Sequence, residues 1–219
     1  MILGDAAVGR KVGRRNVVRA FNGEGALASL RSAGFGPGME VFGLNKGQFS
    51  AIDLLDAILT FTGGGAVTVA TWTAAYADVK RAEQFLRTGR ADRMTWLVDR
   101  SFQTRQPEYC RLLRETFGDE CIRVSSSHAK FMLIDAGDWR VVVQTSMNLN
   151  QNARLESFWV ADDPVLFDAY RDVVMECFAV QGAGEGFENS ARGRRDMNKL
   201  GAADKSSFYD VRPGSEALL

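Results

Sequence analysis

The chain has 219 residues, 46% of them hydrophobic and 25% charged, with 27 basic and 27 acidic side chains. That length and composition suffice for a buried core without disulfides or metals, and a formal net charge of zero excludes a protein coated in cations. Three widely spaced cysteines, Cys110, Cys121 and Cys177, form no C-x-x-C pair, which argues against a zinc knuckle or disulfide framework and suits reduced thiols in a cytoplasmic protein.

Residues 1–38 are rich in Gly and Arg, and Arg10, Lys11, Arg14, Arg15 and Arg19 carry five positive charges with no acid between them. They read as an N-terminal basic arm, either merely solvated or in touch with a polyanion. No apolar run of signal-peptide type follows Met1, and no stretch reaches the ~20 apolar residues of a membrane span, so no membrane association is expected. Phe35-Gly-Pro-Gly38 closes the region as a turn.

From there the pattern alternates. Met39–Leu44 reads as a strand, and Phe49–Phe61 carries a helical apolar stripe through Phe49, Ile52, Leu55, Ile58 and Leu59, stopped by Gly63-Gly64-Gly65. That glycine run lacks a Gly-Lys-Ser/Thr ending and precedes a strand, so it is not a nucleotide-binding loop. Ala66–Trp72 is a β-branched strand and Tyr76–Arg87 a polar helix. Met94–Val98 is a strand, Pro107–Phe117 a helix opened by proline and closed by Gly118, and Cys121–Val124 a strand. Ala129–Asp135 and Trp139–Gln144 follow as two strands joined by a hairpin-length link. Leu155–Ala161 is a further strand, Pro164–Val180 an amphipathic helix, and residues 182–219 a Gly-rich, charge-mixed flexible tail. The alternation predicts an α/β domain over residues 39–181, with a mixed, mostly parallel sheet flanked by helices on both faces. No internal repeat is present, so the chain carries one copy of any site.

The chain has a single histidine, His128. Side chains two apart on an extended segment share a face, so His128 and Lys130 point the same way. Across the hairpin Gln144, Ser146 and Asn148 share a face too, and Glu156 lies in an apolar segment where a carboxylate needs a partner. Phosphoryl transfer uses such parts. An ammonium and an amide hold phosphate oxygens, a neutral imidazole attacks phosphorus, and a carboxylate steadies the ring. No acid/His cluster of metal-ligand spacing accompanies them, so neither metal nor cofactor is expected.

His128-Ala-Lys130-Phe-Met-Leu-Ile-Asp135 resembles the H-x-K-x-x-x-x-D motif of the phospholipase D superfamily. Thr145-Ser146-Met147-Asn148 stands where that family has G-S-x-N, and Glu156 stands at its downstream glutamate. The resemblance covers about residues 39–181 and implies a phospholipase D-like fold. It implies that His128 is nucleophile or general acid, that Lys130 and Asn148 bind phosphate with Ser146 assisting, and that Glu156 orients His128. Asp135, on the face opposite His128, is expected to be structural. Thr145 replaces the motif glycine beside the substrate, where its branched side chain is expected to crowd the phosphate.

The family mechanism uses two histidines and this chain owns one, so a complete site is expected from a homodimer with both motifs at the twofold axis. The compact chain and basic arm favour an endonuclease acting on nucleic acid, DNA foremost. Trp72, flanked by Thr71 and Thr73, is read either as a base-stacking platform with Thr73 beside it or as packing. Two other readings remain: a nucleic-acid-binding or assembly module without catalysis, and a phospholipase or phosphatidyltransferase.

Overall fold

The computed structural model describes residues 16–20, 25–150 and 153–187. In chain order the elements are β1 (Asn16–Ala20), α1 (Ala26–Ser32), β2 (Glu40–Asn45), α2 (Ala51–Thr62), β3 (Ala66–Thr71), α3 (Tyr76–Arg87) and β4 (Arg93–Asp99). There follow α4 (Phe102–Arg105), α5 (Pro107–Phe117), a 3-10 turn (Asp119–Cys121), β5 (Ile122–Ser125), β6 (Phe131–Ala136), β7 (Trp139–Thr145), β8 (Glu156–Asp162) and α6 (Pro164–Val180).

The helices begin and end where local chemistry dictates. Ser50 and Asp53 close a reciprocal capping box at the start of α2, and Gly63 ends that helix at φ 76°, a left-handed conformation suited to glycine. Asp163 accepts hydrogen bonds from the Val165 and Leu166 amides at the start of α6, with Pro164 in the first turn.

Eight strands form one sheet in the order β1-β2-β8-β7-β6-β3-β4-β5. Three neighbour pairs are parallel and four are antiparallel. The sheet is therefore mixed, but parallel pairing is not the majority expected. The reason is the β6–β7 hairpin, whose strands, with β8, lie in the middle of the sheet and pair antiparallel to everything they touch.

Helices cover both faces. α1, α2, α3 and α5 bury one face through residues such as Leu30, Leu55, Val79 and Leu113, packed on Val69, Trp96, Ile134 and Val143. Among the described elements α6 alone covers part of the other, with Phe167, Val174 and Cys177 on Ala70, Leu97, Phe131 and Leu133. Period-two alternation along each strand divides its apolar residues between these two layers.

The fold begins before the boundary expected at residue 39. β1 adds an edge strand parallel to β2, and α1 packs on α2, so residues 16–20 and 25–38 belong to the domain rather than to an arm. The Asn16 amide ties strand to helix by donating to the Ala33 carbonyl at 2.7 Å. Arg10, Lys11, Arg14 and Arg15 of the expected arm, and the expected tail beyond residue 187, lie outside the described residues.

Candidate active site

The registers bring the chemistry to one edge of the sheet. Ala70 near the end of β3 faces Phe131 at the start of β6, Thr145 at the end of β7 faces Phe158, and Asn45 at the end of β2 faces Glu156. Beyond that edge run the segments leaving the parallel strands β3, β4 and β5, where open α/β sheets bind their ligands. His128 lies on the segment between β5 and β6, three residues before β6 begins.

Here the imidazole and the ammonium meet. Lys130 Nζ lies 3.3 Å from His128 Nδ1 and donates to the His128 carbonyl at 3.0 Å. Burial lowers the Lys130 pKa, and the negative charge of Glu156 partly offsets the shift. His128 is exposed, and with Lys130, Thr145 and Ser146 it lines an open cleft of about 600 Å³ that Phe42, Trp159 and Tyr170 also line.

Ser146 is held on three sides. Its amide donates to the Ser157 carbonyl at 3.0 Å, its Oγ accepts from the Ser157 amide at 2.9 Å, and its hydroxyl donates to the Glu156 carboxylate. Glu156 is thus partnered by Ser146. Contrary to the orienting role expected of it, it makes no hydrogen bond with His128 among the described residues.

His128, Lys130, Ser146 and Glu156 are brought together; Asn148 shares no hydrogen bond with them. It follows buried Met147, and its Oδ1 is buried without a hydrogen-bond partner among the described residues. Thr145 does not crowd the site as expected. Its hydroxyl donates to the Ser157 carbonyl at 3.0 Å and accepts from the Met147 amide at 3.0 Å, which pins the turn leaving β7. No non-glycine residue among those described has a positive φ, so the position does not call for glycine's conformational freedom.

Asp135, expected to be structural, lies away from the other motif residues. It pairs with Arg140 across the hairpin at 2.8 Å, at the end of β6 remote from His128. Thr73, expected to contact substrate, is buried and its hydroxyl donates to Gln106. The Trp72 indole is taken up by protein groups rather than open as a base platform. The Arg105 guanidinium carbon lies 3.4 Å from its ring centroid, and the His128 ring centroid is 5.1 Å away. Arg105 was missed by sequence reasoning. Its only signal was a place just past the carboxyl end of a parallel strand.

Among the described residues no group of three or more His, Cys, Asp or Glu is placed to hold a metal ion. No described helix is long and apolar enough to cross a membrane.

No protein-family model matches the chain, and no curated protein matches it. Solved structures similar to it include the phospholipase D family member Nuc from Salmonella typhimurium, at 12% identity and a TM-score of 0.46, covering 64% of this chain and 93% of that one. NucT from Helicobacter pylori is similar at 14% identity and 0.45, covering 64% and 96%. Phosphatidylserine synthase from Haemophilus influenzae Rd KW20 is similar at 11% identity and 0.47, covering 74% of this chain and 44% of that one.

Proposed function

We propose that this chain is a phosphodiesterase of the phospholipase D type that cleaves nucleic acid, DNA foremost, through a covalent phosphohistidine, with two copies completing each site. The observation that carries the reading is the meeting of Lys130 Nζ and His128 Nδ1 at 3.3 Å in an open cleft, beside the Ser146–Glu156 pair.

In this reaction the His128 ring attacks phosphorus and the bond from phosphorus to the leaving oxygen breaks. The leaving oxygen takes a proton from the His128 of a second copy. Water then attacks the phosphohistidine, giving its proton to that same second imidazole and restoring the first. Lys130 balances charge on the non-bridging oxygens throughout. A general acid contributes about 10²–10⁴ in rate, so an isolated single-histidine subunit would be nearly inert.

A strip of sheet that no described helix covers supports the second copy. Val17, Phe42, Trp159 and Gln144 face one another in register across β1, β2, β8 and β7. The same row continues through Phe131 to Ala70 and Leu97, which α6 buries. The half not covered by described residues, with Val17 64% and Phe42 37% exposed, borders the cleft, as an isologous contact placing two clefts together requires.

A second reading, a nucleic-acid-binding or assembly module without catalysis, is favoured by one observation: Glu156 bonds Ser146, and no carboxylate of the described residues bonds His128. Incubation with plasmid and with phospholipid vesicles, both in EDTA, alongside the solution mass, separates the readings. Plasmid cleavage by a dimer that His128→Ala abolishes, with DNA binding retained, supports the proposal. Binding without cleavage favours the module, and cleavage of the vesicle lipid alone favours a lipid substrate.

A further inference from the structure

Trp72, Arg105 and the segment carrying His128 come from the ends of three neighbouring parallel strands, β3, β4 and β5. Arg105 is exposed, yet its position is fixed by three contacts. Nη2 donates to the Trp72 carbonyl at 2.7 Å, Nε donates to Ser101 Oγ at 3.0 Å, and the guanidinium stacks on the indole. Ser101 in turn donates to the Asp99 carboxylate, which anchors the chain of bonds to the end of β4.

Two of the three guanidinium nitrogens are therefore committed to holding the group in place. Nη1 makes no hydrogen bond with the described residues, so its two N–H donors remain available on a fork that no longer has to be ordered. The neighbouring carboxylate, Asp99, bonds the Ser101 amide and hydroxyl through Oδ1 and makes no hydrogen bond with Arg105. Partial burial lowers the Arg105 pKa, and Asp99 offsets part of that cost. A cation held in this way binds an anion more strongly than a freely hydrated one does.

The indole under Arg105 also lies against the imidazole of His128, so one ring links the cation to the reacting group, while Arg105 is not among the residues that line the cleft with Lys130. We propose that Arg105, mounted on Trp72, is a second anion subsite that grips a phosphate flanking the scissile one on the same polynucleotide strand.

The inference rests on the nucleic-acid reading of the site, and deepens it. One phosphate diester fills the Lys130 position; a second anion is useful only on a substrate that repeats its phosphates. A flanking grip would fix which phosphate of the strand lies against His128.

The test is binding of a short fluorescein-labelled oligothymidylate by full-length protein, followed by anisotropy across a salt series. His128→Asn serves as the parent so that the strand stays uncut. Arg105→Gln, which keeps hydrogen-bonding capacity but loses the charge, should weaken binding roughly five- to tenfold at low salt. It should also flatten the slope of log affinity against log salt by about 0.7, the loss of one single-strand phosphate contact. Arg105→Lys, which keeps the charge but not the fork, should retain the slope. An unchanged slope in Arg105→Gln overturns the subsite and leaves Arg105 as packing for Trp72. A parent that binds no oligothymidylate overturns the subsite together with the nucleic-acid reading. An Arg105-dependent slope in a protein whose wild type cuts no phosphodiester upholds the subsite and removes the catalytic reading instead.

Discussion

Lys130 Nζ stands 3.3 Å from His128 Nδ1, and a charged ammonium there favours one tautomer of the neutral ring. An ammonium has donors and no acceptor, so the bond requires the lone pair of Nδ1 and leaves the proton of a neutral ring on Nε2. Attack through Nε2 needs the opposite tautomer. A phosphate that draws the Lys130 ammonium toward its oxygens would release Nδ1, so substrate binding itself would prepare the nucleophile. Because the chain has one histidine, a long-range proton–nitrogen spectrum contains one imidazole pattern. The ligand-free protein at mildly alkaline pH should show the Nε2–H form. Lys130→Met should lose that preference and, by removing the charge on the phosphate, reduce turnover on the order of 10²–10³-fold. An Nδ1–H pattern in the ligand-free wild type would contradict the argument.

Glu156 acts on this pair through charge. Burial lowers the Lys130 pKa and Glu156 raises it, so removing the carboxylate charge leaves the lowering unopposed. In Glu156→Gln the ammonium should therefore lose its proton at lower pH than in wild type. The alkaline limb of phosphate binding should move to lower pH, while the Ser146 hydroxyl still finds an acceptor in the amide oxygen. Competition by vanadate across a pH series reads this directly. A limb that stays where it is in the wild type would show that Lys130 does not sense Glu156.

Most of the architecture was legible because period and punctuation agreed. Tyr76–Arg87 and Pro107–Phe117 were placed to the residue, the second between a proline and a glycine that fix its ends. β1 and α1 were not, because a five-residue edge strand and a seven-residue helix carry too few periods to rise above a glycine-rich background. At the site, the meeting of the His128 and Lys130 side chains was readable from their two-residue spacing. The partner of Glu156 was not, since it depends on how the turn after β7 meets β8, a contact between residues 146 and 156 set by register. Arg105 was silent for a related reason: an arginine on a four-residue helix has no pattern, and its stacking on Trp72 joins residues 33 apart.

The cysteines give a test of the fold that needs no activity. Burial raises the Cys110 and Cys177 thiols to about 11, while Cys121 is only partly buried. At pH 8 a thiol of that pKa is thiolate about one part in a thousand, and the thiolate is what alkylates. Iodoacetamide on the native protein should label Cys121 first, with Cys110 and Cys177 protected until denaturant is added, as peptide mass mapping would reveal. Rapid native labelling of Cys177 would mean that α6 does not pack on the sheet as described.

Gly43 and Phe158 face each other across β2 and β8, and the phenyl ring lies over the glycine. A Cβ at residue 43 would come within 2.0 Å of that ring, far inside contact distance, and Phe158 is only 1% exposed and packed on Phe49. The ring cannot swing away without opening a void against Phe49. Gly43→Ala should accordingly cost about 3 kcal/mol by overpacking, and Phe158→Leu about 1–2 kcal/mol through lost ring volume. If the ring is the obstacle, the pair in one chain should cost clearly less than the sum, because shortening residue 158 vacates the space the new methyl needs. Urea melts of the four proteins decide the matter: strict additivity would mean that β2 and β8 are not paired in this register. The consequence reaches the candidate site, since the same register sets Asn45 opposite Glu156 and so fixes where the carboxylate emerges beside Ser146.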